Sequence, residues 1–167
     1  MTHSLRVARR LLFFVAILAI AGCSAVFPVG NIDAIDFPTF GLADSPNQYL
    51  VCPAGYCAAA PSRESDTYAI GIDGLRMAWD TVVAASPRTE RVRVFGGGTQ
   101  VAYVQRTAVL KFPDVVSVQF IGVDPGRSTL AIYSRSVYGS SDFGVNEKRV
   151  AAWLAALAGE VDRRAAR

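Results

Sequence analysis

Two segments of the chain place apolar residues on one face of a helix. The first stripe consists of Leu75, Ala78, Trp79, Val82 and Val83, which are spaced for a single helical face. Asp73 comes just before it and is predicted to cap the helix, and Ser86-Pro87 is predicted to end it. The second stripe, near the carboxyl terminus, consists of Val150, Trp153, Leu154, Leu157 and Val161. The sequence therefore predicts two amphipathic helices that each bury one face.

Between these helices, four short runs rich in Val, Ile, Phe and Tyr predict β-strands. They read RVRVF, QVAYVQ, VVSVQFIGV and STLAIYSRS. A fifth run, TYAIGID at residues 67–73, predicts a short strand before the first helix. The glycines at 96–98 lie between two strands rather than between a strand and a helix. They are therefore predicted to form a hairpin turn and not a phosphate-binding loop.

The order β-α-β-β-β-β-α predicts an α+β domain of two layers, an antiparallel sheet with both helices on one face. This arrangement is similar to the TATA-binding-protein-like and helix-grip folds, a likeness that implies no particular function. The domain is expected to span residues 45–162, and residues 163–167 are expected to form a frayed tail.

The two faces of the predicted sheet differ in polarity. The core face is predicted to hold Val92, Val94, Val116, Val118, Phe120, Leu130 and Ile132. The alternate positions, predicted to meet water or a ligand, are Arg91, Arg93, Ser117, Gln119, Tyr133 and Arg135. The register of QVAYVQ stays open, because Val101 and Tyr103 alternate with the equally plausible Ala102 and Val104.

The amino terminus has the layout of a secretory signal. Arg6, Arg9 and Arg10 precede an uncharged apolar run at residues 11–21. The stretch IAGC at residues 20–23 resembles the lipobox of bacterial lipoproteins, in which the chain is cut before the cysteine and the cysteine is acylated. The alternative is an uncleaved anchor, since about 20 apolar residues span a bilayer. Both interpretations place the rest of the chain outside the inner membrane.

The lipobox resemblance implies a signal peptide at residues 1–22 and attachment to the membrane through lipidated Cys23. The protein would then be lipid-anchored in the cell envelope and face the periplasm, and Ser24 favours the outer over the inner membrane. Residues 23–44 are interpreted as a spacer between membrane and domain. Part of it is able to pack on the domain through its apolar residues, which include Phe27, Ile32, Ile35 and Phe37.

Removal of the signal changes the charge balance. The whole chain has 17 basic and 14 acidic residues, a formal charge of +3, but three of the arginines lie in the signal. The mature protein is therefore formally neutral, and a basic surface for nucleic acid is not expected. His3, the one histidine of the chain, is also removed, and with it the commonest general base and metal ligand. We expect neither a metal nor another cofactor.

Two cysteines remain after Cys23. Cys52 and Cys57 flank the turn in CPAGYC, and in an oxidising compartment they most simply form a disulfide that closes a short loop. The alternatives are a redox-active pair, which the spacing disfavours, and half of a zinc site, which lacks histidine partners.

Two blocks of the sequence resemble a bacterial protein family. The stretches AIYSRSVYGSSDFGVNEKRVAAWL, residues 131–154, and YVQRTAVLKFPDVVSVQF, residues 103–120, are similar to the signatures of domain of unknown function 1499. CPAGYC and RMAWDTVV fit one branch of that family, so the resemblance covers about residues 46–160. It implies a lipoprotein or membrane-anchored protein, and it implies no activity.

The polar cluster before the last helix supplies the candidate site residues. In a structural interpretation, Asp142 or Asn146 caps the helix, and Arg135 and Arg149 pair with Asp114 and Asp142. In a functional interpretation, arginines meet the positive end of the helix dipole and form a site for a carboxylate or phosphate. The candidate ligand-binding residues are Arg106, Asp114, Arg135, Asp142, Asn146 and Arg149.

Catalysis is the third interpretation of this cluster. Serine chemistry would need Lys111 or Lys148 in place of the absent histidine, and a hydrolytic carboxylate pair would need Asp114 beside Asp142. Arginine-rich surroundings lower carboxylate pKa values, which suits ion pairs better than a general acid. We therefore expect a lipid-anchored envelope protein that is not an enzyme and that binds a small anionic ligand or an envelope partner. The alternative is a structural or assembly protein without a ligand.

Overall fold

Six strands and two α-helices form the part of the chain that the structure, a computed structural model, describes: residues 27–166. The strands are β1 (Gln48–Cys52), β2 (Arg63–Glu64), β3 (Thr89–Phe95), β4 (Gln100–Arg106), β5 (Pro113–Asp124) and β6 (Arg127–Ser136). The helices are α1 (Ile72–Ala84) and α2 (Val145–Ala165). The predicted signal peptide, Cys23 and Arg167 lie outside the described residues.

The strands form one open sheet in the order β2-β1-β6-β5-β4-β3. All neighbouring strands are antiparallel except β1 and β2. The predicted α+β class and the four-strand meander are thereby confirmed. The strand before α1 was predicted in the wrong place: at 67–73 only Tyr68 pairs, in an isolated bridge with Ser128, and the paired strands that precede α1 are β1 and β2.

Both helices pack on the same face of the sheet, as the apolar stripes predict. Every residue of the two stripes is buried. The Trp79 ring meets Trp153 of α2 edge-on at a centroid distance of 5.7 Å and Phe120 of β5 at 6.4 Å. Edge-to-face contacts of this kind add to the hydrophobic gain of burying the rings. They join the two helices and the sheet in a single core.

Two local predictions about this layer are wrong. Asp73 does not cap α1, because it lies inside the helix, which already begins at Ile72. The cap position is Gly71, which makes no side-chain capping bond. Val94 is not in the core: 55% of it is exposed. Val94 pairs with Val101 and so lies on the helix side of the sheet, but β3 is an edge strand with no neighbour on its outer side. The irregularity between Arg91 and Arg93 places Arg91, opposite Tyr103, on the same side.

The opposite face of the sheet is covered by the first described residues, 27–40, which we call the N-terminal strap. Phe37 is fully buried against the sheet in a cluster with Leu50, Ala131 and Tyr133. Gln100 holds the strap backbone at both hydrogen-bonding groups, because its side chain accepts from the Ile35 N–H and donates to the Ile35 carbonyl, each at 2.7 Å. This part of the predicted spacer therefore belongs to the folded domain.

The loop after β1 and the carboxyl-terminal end of α2 are also fixed to the rest of the domain. The disulfide between Cys52 and Cys57 closes the loop after β1, and the Ala58 N–H after it donates to the strap carbonyl of Phe37 at 3.2 Å. At the other end, the predicted frayed tail is helical as far as Ala165. Arg164 donates to Glu160 at 2.8 Å and to the Thr81 hydroxyl of α1 at 3.2 Å, so the tail stays on the helical layer.

Candidate functional site

One end of the sheet brings together most of the polar residues that the sequence singles out. β4 and β6 finish there, and β5 and α2 begin there, since Asp114 pairs with Ser136 and Arg106 with Pro113. Two loops cross this end, residues 107–112 between β4 and β5 and residues 137–144 between β6 and α2. The candidate site lies between these loops.

Arg149 of α2 reaches down to the sheet and forms a buried ion pair with Asp114 of β5, each side chain only 5% exposed. Its guanidinium also donates to the Gln105 side chain of β4 and to the Ser134 hydroxyl of β6 at 3.0 Å. A buried charge is costly unless it is paired and its remaining donors are satisfied. Arg149 meets both conditions, so one side chain joins α2 to three strands.

Asn146 completes this network. Its side-chain oxygen accepts from Arg149 at 2.7 Å and from the Ser134 hydroxyl at 2.6 Å. Its amide group donates to Asp142 at 2.7 Å and to the backbone carbonyl of Asn47, before β1, at 3.1 Å. Asn146 is fully buried, and it links the start of α2 to β6 and to the approach to β1.

Asp142 satisfies two amides at the start of α2, one just before the helix and one in its first turn. Its carboxylate accepts from the Gly144 N–H at 3.0 Å and from the Asn146 N–H at 2.8 Å. Partial burial raises the pKa of Asp142, but these backbone bonds and the Asn146 side chain together hold its pKa below the ordinary value. The Asp142 carboxylate is therefore ionised at neutral pH and balances the positive end of the helix.

The structure does not bring Arg106 and Arg135 to this network. Both residues project from the opposite face of the sheet, because side chains alternate along a strand and their neighbours Gln105 and Ser134 face the helices. Arg106 donates to the backbone carbonyls of Phe27 and Lys111, each at 3.1 Å. Arg135 lines a groove of about 330 Å³ between the sheet and the strap, and makes no ion pair with any residue of 27–166.

The predicted gathering of three arginines around the start of α2 is therefore wrong in its geometry. One arginine is there, and its charge is balanced by Asp114. Alternation along β6 already predicts that Arg135 and Ser134 lie on opposite faces of the sheet, so the sequence did indicate that Arg135 is away from the network. Nothing in the sequence pattern indicated Gln105 or Asn47 as partners in the network.

A cleft of about 350 Å³ lies above the network, between the two loops. Its apolar walls are Leu110, Phe112, Tyr138, Phe143 and Val145, and its polar groups are Thr107, Asp114, Ser136, Ser141 and Asp142. Among the described residues that line it, two carry carboxylates and none is basic. Apolar walls with a few fixed polar groups are typical of small-molecule sites.

Two further features bear on the kind of site. Within residues 27–166, no group of three or more His, Cys, Asp or Glu side chains is placed to hold a metal ion. In the same part of the chain, neither helix has the length and hydropathy needed to cross a bilayer.

Comparison with known proteins gives a family and no activity. The sequence model of the family described as protein of unknown function (DUF1499) matches residues 46–157, more than half of the chain. The chain therefore belongs to the DUF1499 family, as the two signature blocks indicated. No curated protein matches its sequence.

Among solved structures, the Zhui aromatase/cyclase from Streptomyces sp. R1128 is similar. The two chains are 17% identical, and the similarity covers 60% of this chain and 92% of that one with a TM-score of 0.37. A similarity at this level does not establish a shared activity.

The buried network is open to a direct stability test. Arg149→Met is expected to lower the free energy of unfolding by about 3–5 kcal/mol, because Asp114 would stay buried without its partner. Lys148→Met, at the exposed neighbouring position, is expected to change it by less than about 0.5 kcal/mol. Adding Asp114→Asn to Arg149→Met should recover part of the loss. Urea unfolding followed by tryptophan fluorescence measures all three, and equal effects at 148 and 149 would contradict the assignment.

Proposed function

We propose that this protein is a lipid-anchored protein of the cell envelope whose domain binds a small ligand in the cleft without transforming it. The observation that supports the proposal best is the construction of the cleft. Its walls are apolar, whereas its floor is a fixed network of buried hydrogen bonds that joins one helix to three strands. Binding sites are commonly formed by loops that a rigid scaffold of helices and strands holds in place.

The charges of the cleft favour a neutral or cationic ligand over an anion. Arg149, the one arginine of the network, is already neutralised by Asp114, and ionised Asp142 lies at the cleft wall. A ligand carboxylate or phosphate would meet these two carboxylates without a compensating cation. The ligand that fits is an amphipathic molecule, with an apolar body against Leu110, Phe112 and Phe143 and a polar end that donates hydrogen bonds.

A binding role accords better than catalysis with the state of the reactive groups. Asp142 has a lowered pKa and is engaged with helix amides, which suits neither a general acid nor a strong base. The Lys111 ammonium donates to the Ala108 carbonyl at 2.7 Å, and the Ser134 hydroxyl is held by Arg149 and Asn146. None of these groups is poised as a nucleophile with its base.

The cleft is tested by filling it. Ser141→Trp places a large ring at the exposed cleft wall, and Ser140→Trp places the same ring one residue away, outside the lining. Monoacylglycerol and dodecylamine, below their micellar concentrations, are expected to raise the melting temperature of the wild type and of Ser140→Trp, but not of Ser141→Trp, because ligand binding stabilises the folded state. Dodecanoate should have no effect. A response to dodecanoate alone, or equal responses in both variants, would refute the assignment, and mass spectrometry of the recovered probes tests for turnover.

The groove beside Arg135 is a second candidate, and there the expected anionic ligand remains a proposal. Arg135 has no ion-pair partner among residues 27–166 and lines a groove between the Tyr133 ring and the strap, whose Asp33 and Asp36 also border it. An anion there would have to be held by Arg135 against these two carboxylates. If it binds anions, citrate or phosphate should raise the melting temperature more than sodium chloride at equal ionic strength. Arg135→Ala should abolish the difference, and Arg93→Ala, an exposed arginine on β3, should keep it. An unchanged response in Arg135→Ala removes this candidate.

The anchor is tested at its cysteine. Cys23→Ala is expected to stop both cleavage and acylation, whereas Ser24→Ala should permit both. Mass spectrometry of the amino-terminal peptide measures the two steps together. A wild-type protein that begins at residue 1, with an unmodified Cys23, would favour the uncleaved anchor. If the anchor is present but no ligand binds either candidate site, the structural or assembly role becomes the better explanation.

A further inference from the structure

Four exposed apolar side chains lie at the end of the domain that contains the cleft, and all but Val109 line the cleft itself. Val109 is 84% exposed, Leu110 61%, Phe143 87% and Val145 41%. We call these four residues the apolar rim. Val109 and Leu110 lie in the 107–112 loop, Phe143 lies in the 137–144 loop, and Val145 is the first residue of α2. Single exposed apolar residues are ordinary, but a group of them at one place marks an interaction surface.

The backbone keeps part of the rim outward at a conformational cost. Phe143 has a φ of 54° and Lys111, next to Leu110, has a φ of 60°. Bulky side chains rarely adopt positive φ, and such strain persists only where the surroundings impose it. The Phe143 N–H donates to the Ser141 hydroxyl at 3.3 Å, and the next N–H, that of Gly144, donates to Asp142. The capping turn of α2 thus presents the Phe143 ring to solvent.

Basic side chains lie on the other side of the 107–112 loop. Arg88, Arg106 and Lys111 border a groove of about 320 Å³ whose one acidic lining residue is Glu90. The Arg88 guanidinium donates to the Arg106 carbonyl at 3.0 Å, so the cluster is fixed to the end of β4. Apolar side chains flanked by basic ones are typical of surfaces that meet anionic lipid.

The described chain begins at this same end. The Phe27 ring packs on Phe112 at 4.5 Å and on Tyr138 at 5.3 Å, and the Tyr138 hydroxyl donates to the Pro28 carbonyl at 2.7 Å. Cys23 lies four residues earlier. Four residues span at most about 14 Å. A lipid on Cys23 would therefore hold the rim close to the bilayer surface.

We propose that this end of the domain is seated in the surface of an anionic phospholipid bilayer. The apolar rim enters the acyl boundary, and Arg88, Arg106 and Lys111 contact lipid phosphates. The inference rests on the proposed anchor for its geometry, and it deepens the proposed function: the cleft opens toward the bilayer and takes its amphipathic ligand from there.

The test uses the full-length chain in vesicles of phosphatidylglycerol and phosphatidylcholine. An environment-sensitive fluorophore is attached at Val109→Cys, at Phe143→Cys and, as the matched control, at Val123→Cys. Val123 is also apolar and 49% exposed, but it lies at the far end of β5. Labels at 109 and 143 are expected to shift to the blue and to be quenched several-fold by brominated acyl chains, whereas the label at 123 should respond to neither. The double change Arg88→Gln and Lys111→Gln should lower the quenching in mixed vesicles to its value in pure phosphatidylcholine.

The mass of the amino-terminal peptide, measured on the same samples, separates this inference from the anchor. Lipidated Cys23 with equal quenching at 109, 143 and 123 overturns the membrane contact and leaves the anchor standing. Quenched rim labels on a protein with unmodified Cys23 support the contact without the anchor. Labels that are already blue-shifted before vesicles are added, and are not quenched by brominated lipid, indicate a protein interface and overturn the proposal.

Discussion

The buried ion pair between Arg149 and Asp114 is the interaction on which the site-bearing end of this domain depends. Burying either charge without the other would be strongly unfavourable. With Gln105, Ser134 and Asn146 as further partners, the guanidinium fixes where α2 crosses the sheet. A shift of the helix by one turn would separate all of these groups at once. The helix and strands that carry the two loops of the cleft are therefore held in fixed positions.

This arrangement inverts the usual distribution of polarity at one end of the molecule. Charged and amide groups are inside, where they satisfy one another, and aliphatic and aromatic side chains are outside at the loop tips. Net charge gave no sign of it, because residues 23–167 are formally neutral. Burial determines the chemical character of this end, because the charge of Arg149 is neutralised inside the fold by Asp114.

The fold was largely predictable from periodicity, and the site was not. The stripes through Trp79 and Trp153 placed both helices correctly, since helical spacing over several turns is a strong signal. The register of β4 stayed open because both of its faces are buried: Tyr103 lies under the helices and Ala102 lies under the strap. Which candidates meet depended on long-range pairing. Asp114 and Arg149 are brought together only by the docking of α2, which no local pattern encodes.

The N-terminal strap also changes what counts as the unit of this fold. The family match begins at residue 46, yet Phe37 fills a socket on the outer face of the sheet, against Leu50, Ala131 and Tyr133. A fragment that begins at residue 46 would retain every strand and both helices but would lack Phe37, so the apolar outer face of the sheet would be exposed to water. The family match begins after the strap and covers only the sheet and the helices, whereas the folded domain has the strap as a third layer.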